Sequence, residues 1–464
     1  MMSVLDARVM DANASALGTD MAQLMDNAGA ELASVLKNRF HGKSFAFFCG
    51  HGNNGGDGIA AAGKMDDEDV YVYLIKSRDT LKGHNAELLE RLNCPVLSYD
   101  GCKKNPDVLV DCALGSGLHG PLKQPYKEYV ARTRNFKGHI VSADIPSGLG
   151  TGDSVLPDIT VTMHEAKYGM TEANSGEIIT VDIGMPSKAY MQTGPGDMLR
   201  YHIPEQNSHK GSNGRLLIIG GGPYYGAPAL AGIAALRTGT DTVKLAVPSS
   251  CSDRVAAVSP VFVMTELSEK RLMPEAVNGL LKSASLNDAV LIGPGLGRSP
   301  DTAAAVRKFV SECSVPMVVD ADGITALGTH VPNMRAPVIL TPHAGEYRSL
   351  GGTEYTDEGV ATIAQKTGCV VVLKGHEDII SDGFHTRRNI TGTPGMTGAG
   401  TGDVLAGIVA GLLSKGIDSF GAACLGTYIS GKAGETSFSR NGYGMIATDI
   451  VDDIPSVIMS GLGH

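Results

Sequence analysis

The stretch GTPGMTGAGTGDVLAGIVAGLL, residues 392–413, decides how the chain is read. Gly395, Gly398, Gly400 and Gly402 crowd the approach to Asp403, and an apolar, helix-forming run from Val404 to Leu413 begins directly after it. Glycines let backbone N–H groups close on an anion, and the first turn of a helix adds unpaired donors and a partial positive charge. The pattern is that of a phosphate cradle. A carboxylate at its mouth repels the anion, so Asp403 makes chemical sense as a base over a hydroxyl that is about to meet a phosphoryl group. Taken alone, the motif is equally compatible with an N-cap aspartate after a glycine turn, and the context decides.

Composition narrows the class. A chain of 464 residues predicts two or three domains, and 42% hydrophobic with 19% charged residues argues against extended disorder. Sixty glycines are about 13% of the chain, roughly twice ordinary usage, which points to many tight turns and close backbone approaches. Lys+Arg 39 against Asp+Glu 49 leaves a net charge of −10, so no basic face for nucleic acid or an anionic membrane is expected. The eight cysteines are scattered without a CxxC pair and read as reduced thiols of a cytosolic protein. Asp6, Asp11 and Asp20 near the start argue against a signal peptide, and the run 404–413 is too short to cross a bilayer. A cytoplasmic location is expected.

In the first half, Ser15 to Asn38 has helical rhythm and carries LMDNAG (24–29). The strand-like SFAFFC (44–49) leads into GHGNNGGDG (50–58), read as a loop, and then into small residues. Strand, glycine loop, helix is the order in which doubly wound sheets present ligands at their carboxyl edge. The loop lacks the GxGxxG spacing and offers Asx side chains as well as backbone donors. The runs 70–75, 107–112, 139–144 and 159–163 predict further strands, with 178–184 closing the domain as an edge strand. Asp111 and Asp144 stand at strand ends, Asp144 followed by Ser147; such oxygen-rich clusters suit hard cations rather than zinc or copper. Singly, each acid also reads as a loop cap, and Lys167 alone as a solvated surface charge.

Residues 185–210 hold three prolines and no periodicity, which places a boundary near residue 205 and gives domains 1–205 and 206–464. Beyond it, β-branched runs end repeatedly in polar or glycine loops: 215–222, 241–248, 289–297, 316–323, 337–346 and 369–375. Continuous apolar runs of this kind read as buried parallel strands, so the expected fold is α/β with two doubly wound domains.

The motifs NNGGDG, Asp111 with its glycine loop, DIPSG (144–148), Lys167 and LMDNAG resemble the epimerase domain of the NAD(P)H-hydrate repair enzymes, a Rossmann-like domain, over nearly the whole first half. One departure is MHEAK (163–167), where that family more usually has an aromatic residue and a proline before the lysine. The second half carries HKGSNG, LLIIGGG, GAPALAGIAALRTG, GPGLG, TPHAGE, LKG and GTGD in one order and resembles the ribokinase-like ADP- or ATP-dependent NAD(P)H-hydrate dehydratases.

The resemblance implies epimerisation of R and S NADHX and NADPHX, and nucleotide-dependent dehydration of the S form. It implies potassium at Asn54, Asp111 and Ser147. Substrate would lie along Asn53, Asn54, Gly55, Gly56 and Asp57, and along Gly115, Ser116, Gly117, Leu118, His119, Gly120 and Pro121, with Asp144 and Lys167 as acid–base groups. In the second domain Ala227, Gly295, His343 and Asp403 would contact substrate, Asp403 as catalytic base. Lys374, Gly375, His376, Glu377 and Asp378, with Gly398, Gly400 and Gly402, would hold ADP or ATP, and Glu346 stands where a magnesium-associated glutamate is expected. Fused forms point to ADP as donor, and a homo-oligomer is expected. Two other readings stay open: a ribokinase-like small-molecule kinase with an accessory first domain, and a first half that serves as a non-catalytic binding or scaffold module.

Overall fold

The computed structural model describes residues 1–99, 105–117 and 120–463. The chain forms two compact units, Met1–Ser187 and Lys188–His464. The division thus falls before residue 205, because residues 188–201 are bound into the second unit. Buried Asp197 takes two hydrogen bonds from Arg387 and one from Arg200, Thr193 bonds Asn389, and the Tyr201 hydroxyl donates to the Thr238 carbonyl.

The first unit holds a seven-stranded sheet: β1 Ser44–Cys49, β2 Asp69–Leu74, β3 Val96–Ser98, β4 Val108–Cys112, β5 His139–Ala143, β6 Ile159–Met163 and β7 Glu177–Val181. The order is β3-β2-β1-β4-β5-β6-β7, and every pairing is parallel. The order reverses between β1 and β4, which opens a crevice at their carboxyl ends. NNGGDG is not a loop: the helix Asn53–Ala62 starts inside it. Its glycines are demanded by close packing. A Cβ at Gly55 would stand 2.0 Å from the Gly50 carbonyl oxygen, and one at Gly58 2.6 Å from the Cys112 side chain. The expected helix 15–38 begins later, as Met21–Arg39, capped by the Asp20 carboxylate, and a separate helix, Val4–Ala16, precedes it.

The second unit holds β8 Arg215–Ile219, β9 Thr242–Pro248, β10 Val263–Leu267, β11 Ala289–Ile292, β12 Met317–Val319, β13 Val338–Leu340, β14 Val370–Leu373, β15 Asp378–Ser381 and β16 Thr386–Asn389. The order β10-β9-β8-β11-β12-β13-β14-β15-β16 is parallel as far as β14, and the last two pairings are antiparallel. The switch point lies between β8 and β11. The buried helices Thr401–Ser414 and Gly226–Arg237 cross at Gly407, where a Cβ would meet the Ala231 carbonyl oxygen at 2.2 Å. Gly407→Ala is therefore expected to destabilise this unit by about 1–3 kcal/mol through overpacking of backbone against backbone. Calorimetry of the full chain should show it, with Gly279→Ala, in a helix with open space around it, unchanged or slightly more stable.

Candidate active sites

The first site sits at the β1–β4 crevice, in a cavity of about 680 Å³ lined by Asn53, Asn54, Gly55, Asp57, Gly115, Ser116, Gly117, Asp144 and Lys167 among others. Chain direction at its floor is unusual. Asp144 and His164 follow β5 and β6 with φ of 61° and 64°, and each backbone N–H still reaches the neighbouring strand, at Val161 and Val181. The left-handed residue turns the chain sharply at the sheet edge, which aims the side chain into the crevice. Of the described residues, the third non-glycine with positive φ is Ala321, in the second site. Such strain concentrates where function requires it.

Lys167 is 3% exposed and Asp144 16%. The ammonium donates to the Asp144 carboxylate, to Thr162 Oγ1 at 3.0 Å and to the Met163 carbonyl at 2.9 Å. Two further carboxyls face this pair. Burial, then Asp144, pushes Asp11 up to about 6 against the pull of Lys167. Burial, then Asp144 and Asp11, holds Asp57 well above its ordinary value. Asp11 escaped the sequence reading. It arrives on the helix Val4–Ala16, which is anchored when Met2 pairs with the backbone at Ala166 and Tyr168, a contact without any sequence signal.

Beneath the cavity Asp111 is fully buried and accepts from Tyr129, Ser142, the Ser147 hydroxyl and N–H, and the Ala113 N–H. Asn54 donates through Nδ2 to the Leu114 carbonyl, and its Oδ1 is buried without a partner. Gly56 packs on Met25 and Asn85 instead of lining the cavity, and Gly120 and Pro121 lie outside its wall. Leu118 and His119 lie outside the described residues.

The second site stands at the β8–β11 switch point, a cavity of about 450 Å³ that brings together Ala227, Gly295 and Asp403 with Pro223, Tyr224, Ala321 and Asp322. The helix carrying Asp403 begins at Thr401, before the apolar run, with Gly400 as its cap at φ 92° and no side chain bonded to its end. Asp403 is therefore a first-turn residue and not the cap. A Cβ at Gly402 would lie 3.3 Å from Lys374 Nζ, so a partly buried ammonium stands beside the open helix end.

Lys374 donates to Asp320 Oδ1 at 2.9 Å, and Asp320 also accepts from Thr341. Burial pulls the ammonium down, but Asp320 and Glu346 outweigh it and hold it above its ordinary value. Burial, then Asp320, pushes Asp403 up to about 7 against Lys374. His343 caps the helix Ala344–Ser349 in a reciprocal box with Glu346, whose Oε2 accepts the His343 N–H at 2.9 Å. Gly375, His376 and Glu377 are exposed. Glu377 pairs with Arg388, and Asp378 is bonded by the Gly375 N–H and by Asn389. The sequence reading missed Asp320, Ala321 and Asp322. PMVVDADG displayed the acids, but only the fold shows that Asp320 meets Lys374. Among the described residues no cluster of three or more His, Cys, Asp or Glu could hold a metal, and no helix is long and apolar enough to cross a membrane.

A family model described as "NAD(P)H-hydrate dehydratase" matches residues 216–456, and one described as "YjeF-related protein N-terminus" matches residues 21–169. A bifunctional NAD(P)H-hydrate repair enzyme from Archaeoglobus fulgidus is 36% identical over 462 residues, covering 98% of this chain and 97% of its own. One from Methanothermobacter thermautotrophicus is 37% identical over 500 residues, covering 99% and 96%. Among solved structures, a ribokinase-like superfamily protein from Enterococcus faecalis superposes with a TM-score of 0.51 at 24% identity, covering 57% of this chain and 94% of that one, a likeness of fold. With both halves matched in the same order and nearly the full length aligned, the chain belongs to the family of bifunctional NAD(P)H-hydrate repair enzymes.

Proposed function

We propose that the first unit epimerises NADHX and NADPHX and that the second dehydrates the S epimer back to NADH or NADPH, with ADP as phosphoryl donor. The observation that carries the dehydratase reading is Asp403: a carboxyl raised to about 7, in the first turn of an uncapped helix end, beside Lys374 and facing the cavity. Asp403 accepts the proton of the C6 hydroxyl as that oxygen forms a bond to the terminal phosphorus and the bond from phosphorus to the nucleotide breaks. The C6–O bond then breaks, phosphate departs with the bonding pair, and loss of the C5 proton completes the ring double bond. Free hydroxide leaves poorly; phosphate leaves well. The backbone donors around Gly398, Gly400 and Gly402, with the Lys374 ammonium, receive the phosphoryl oxygens.

When bound, Mg²⁺ offsets charge on the phosphoryl groups. Glu346 fits such an ion only in part, because its Oε2 is taken by the His343 N–H. The ion's remaining positions would go to water and nucleotide oxygens, as is usual for magnesium. In the first unit the orphaned Asn54 Oδ1 fits a potassium ion, whereas Asp111 and Ser147 already bond one another behind it. Asp144 and Lys167, beside the Asp11 and Asp57 carboxyls that burial raises above their ordinary range, would move the proton that lets water leave and return at C6. Self-association into a homo-oligomer belongs to the same proposal.

The test incubates the full chain with mixed NADHX epimers, Mg²⁺ and K⁺, and follows NADH absorbance with ADP, with ATP and with neither. Full conversion with one nucleotide supports both activities and names the donor. A stop near the initial share of one epimer removes the epimerase. A stable phosphorylated alcohol in place of NADH would favour a small-molecule kinase.

A further inference from the structure

The wall of the second cavity is short of positive charge. Asp322 and Asp403 line it, and no lysine, arginine or histidine does among the described residues. A dinucleotide hydrate carries at least two negative charges on its diphosphate, which such a wall would repel. One cation stands at the rim. Arg298 follows the GPGLG turn; Gly297 packs against Pro223, and Gly295 lies so close to the Tyr224 carbonyl that a Cβ would fall 2.0 Å from it. The two loops that frame the cavity are thus locked together just before Arg298.

The Arg298 side chain is 68% exposed while Asp322 is 11% exposed. Arg298 Nε donates to Asp322 Oδ1 at 3.0 Å, and Asp322 Oδ2 accepts the Gly297 N–H at 2.9 Å. A cavity-lining carboxylate, itself held by backbone, therefore grips the guanidinium through Nε, while the side chain as a whole stays largely exposed. Tyr224 and Glu346 lie close enough to act electrostatically on the same guanidinium. Of the other cations near the site, Lys374 is held by Asp320 at 2.9 Å, and Arg254 lies over the Tyr225 ring, 5.1 Å from the centroid.

We propose that Arg298, aimed by Asp322, is a specificity-determining residue of the dehydratase site whose guanidinium binds the phosphoryl oxygens of the dinucleotide hydrate. A planar fork held at Nε is the arrangement that grips phosphate with two donors. The inference rests on the dehydratase reading of this site. The phosphoryl oxygens belong either to the diphosphate bridge, present in both hydrates, or to the 2′-phosphate, present only in NADPHX.

Steady-state dehydration of purified S-NADHX and S-NADPHX by wild type, Arg298→Ala, Arg298→Gln and Arg298→Lys tests this. Exposure of the side chain leaves the fold undisturbed, which thermal melts verify. For Arg298→Ala and Arg298→Gln, KM for the hydrate is expected to rise 10- to 100-fold, an effect of about 1.4–2.7 kcal/mol. kcat should stay within about threefold, KM for the nucleotide should not change, and Arg298→Lys should recover part of the loss. A rise for both hydrates assigns the diphosphate; a rise for NADPHX alone assigns the 2′-phosphate. Hydrate KM values within twofold of an active wild type, or a fall in kcat at unchanged KM, would overturn the inference and leave the dehydratase reading standing. An inactive wild type would sink that reading and this inference with it.

Discussion

Asp403→Asn is expected to lower dehydration by about 10²- to 10⁴-fold, the range in which a positioned general base contributes, while nucleotide still binds. The cradle's donors are backbone groups and Lys374, and none is removed. The wild-type rate should carry the same signature: kcat/KM for S-NADHX rises with pH as Asp403 ionises, and levels above about 7, where burial and Asp320 have placed its carboxyl. The variant's residual rate should lose that limb.

Stability should move the opposite way. A carboxyl whose value is raised in the fold from an ordinary 3.8 to about 7 favours folding relatively less as pH climbs between those values, since the unfolded chain ionises first. Asparagine removes the cost of burying that charge. At pH 8 the variant's second unit should be more stable by about 1–3 kcal/mol, and at pH 4 the gain should vanish. Turnover within threefold of wild type, or a melting difference independent of pH, would remove Asp403 from the role of buried base.

The second large effect is expected at Asp144. Asp144→Asn leaves the Lys167 ammonium, 3% exposed, without its carboxylate. Breaking a buried pair on one side costs about 3–5 kcal/mol, much of it the price of an uncompensated charge. Interconversion of R- and S-NADHX, followed chromatographically without nucleotide, should fall by about 10²- to 10⁴-fold. The double variant Asp144→Asn/Lys167→Met should regain most of the stability and none of the epimerase activity. Dehydration of pure S epimer should be untouched in both, because Asp403 and its neighbours belong to the other unit. If epimerisation survives Asp144→Asn, the acid–base work lies with Asp11 and Asp57.

Much of this protein can be read from residue order alone. Apolar runs ending in glycine or acid announce parallel strands, and the motif series in each half announces the family, because a backbone brought close to another backbone or to a ligand tolerates few residue types. Close approach also explains where the reading of local structure slipped. NNGGDG has the composition of a loop, yet its glycines are there so that a helix can lie against Gly50 and Cys112. Asp403 reads as a cap by position, yet Gly400, with φ 92°, turns the chain early and moves the helix start to Thr401.

The chemistry of the individual groups was decided elsewhere. Asp11 and Asp320 look in sequence like any surface acid. One is folded over Asp144 and Lys167 by the N-terminal helix, and the other is brought under Lys374 from a different strand. The sequence by itself determined the inner parallel strands, the loops at the two sheet edges and the family, since those follow from local polarity and backbone permissiveness; the outer strands β3, β10, β15 and β16 were not legible in it, because short or half-exposed strands lack a continuous apolar run. Only the tertiary structure decided which carboxyls are buried together and raised above their ordinary values, and that Asp144 and Ala321 take left-handed backbone at the two sites, because ionisation depends on burial and on charges distant in sequence and near in space.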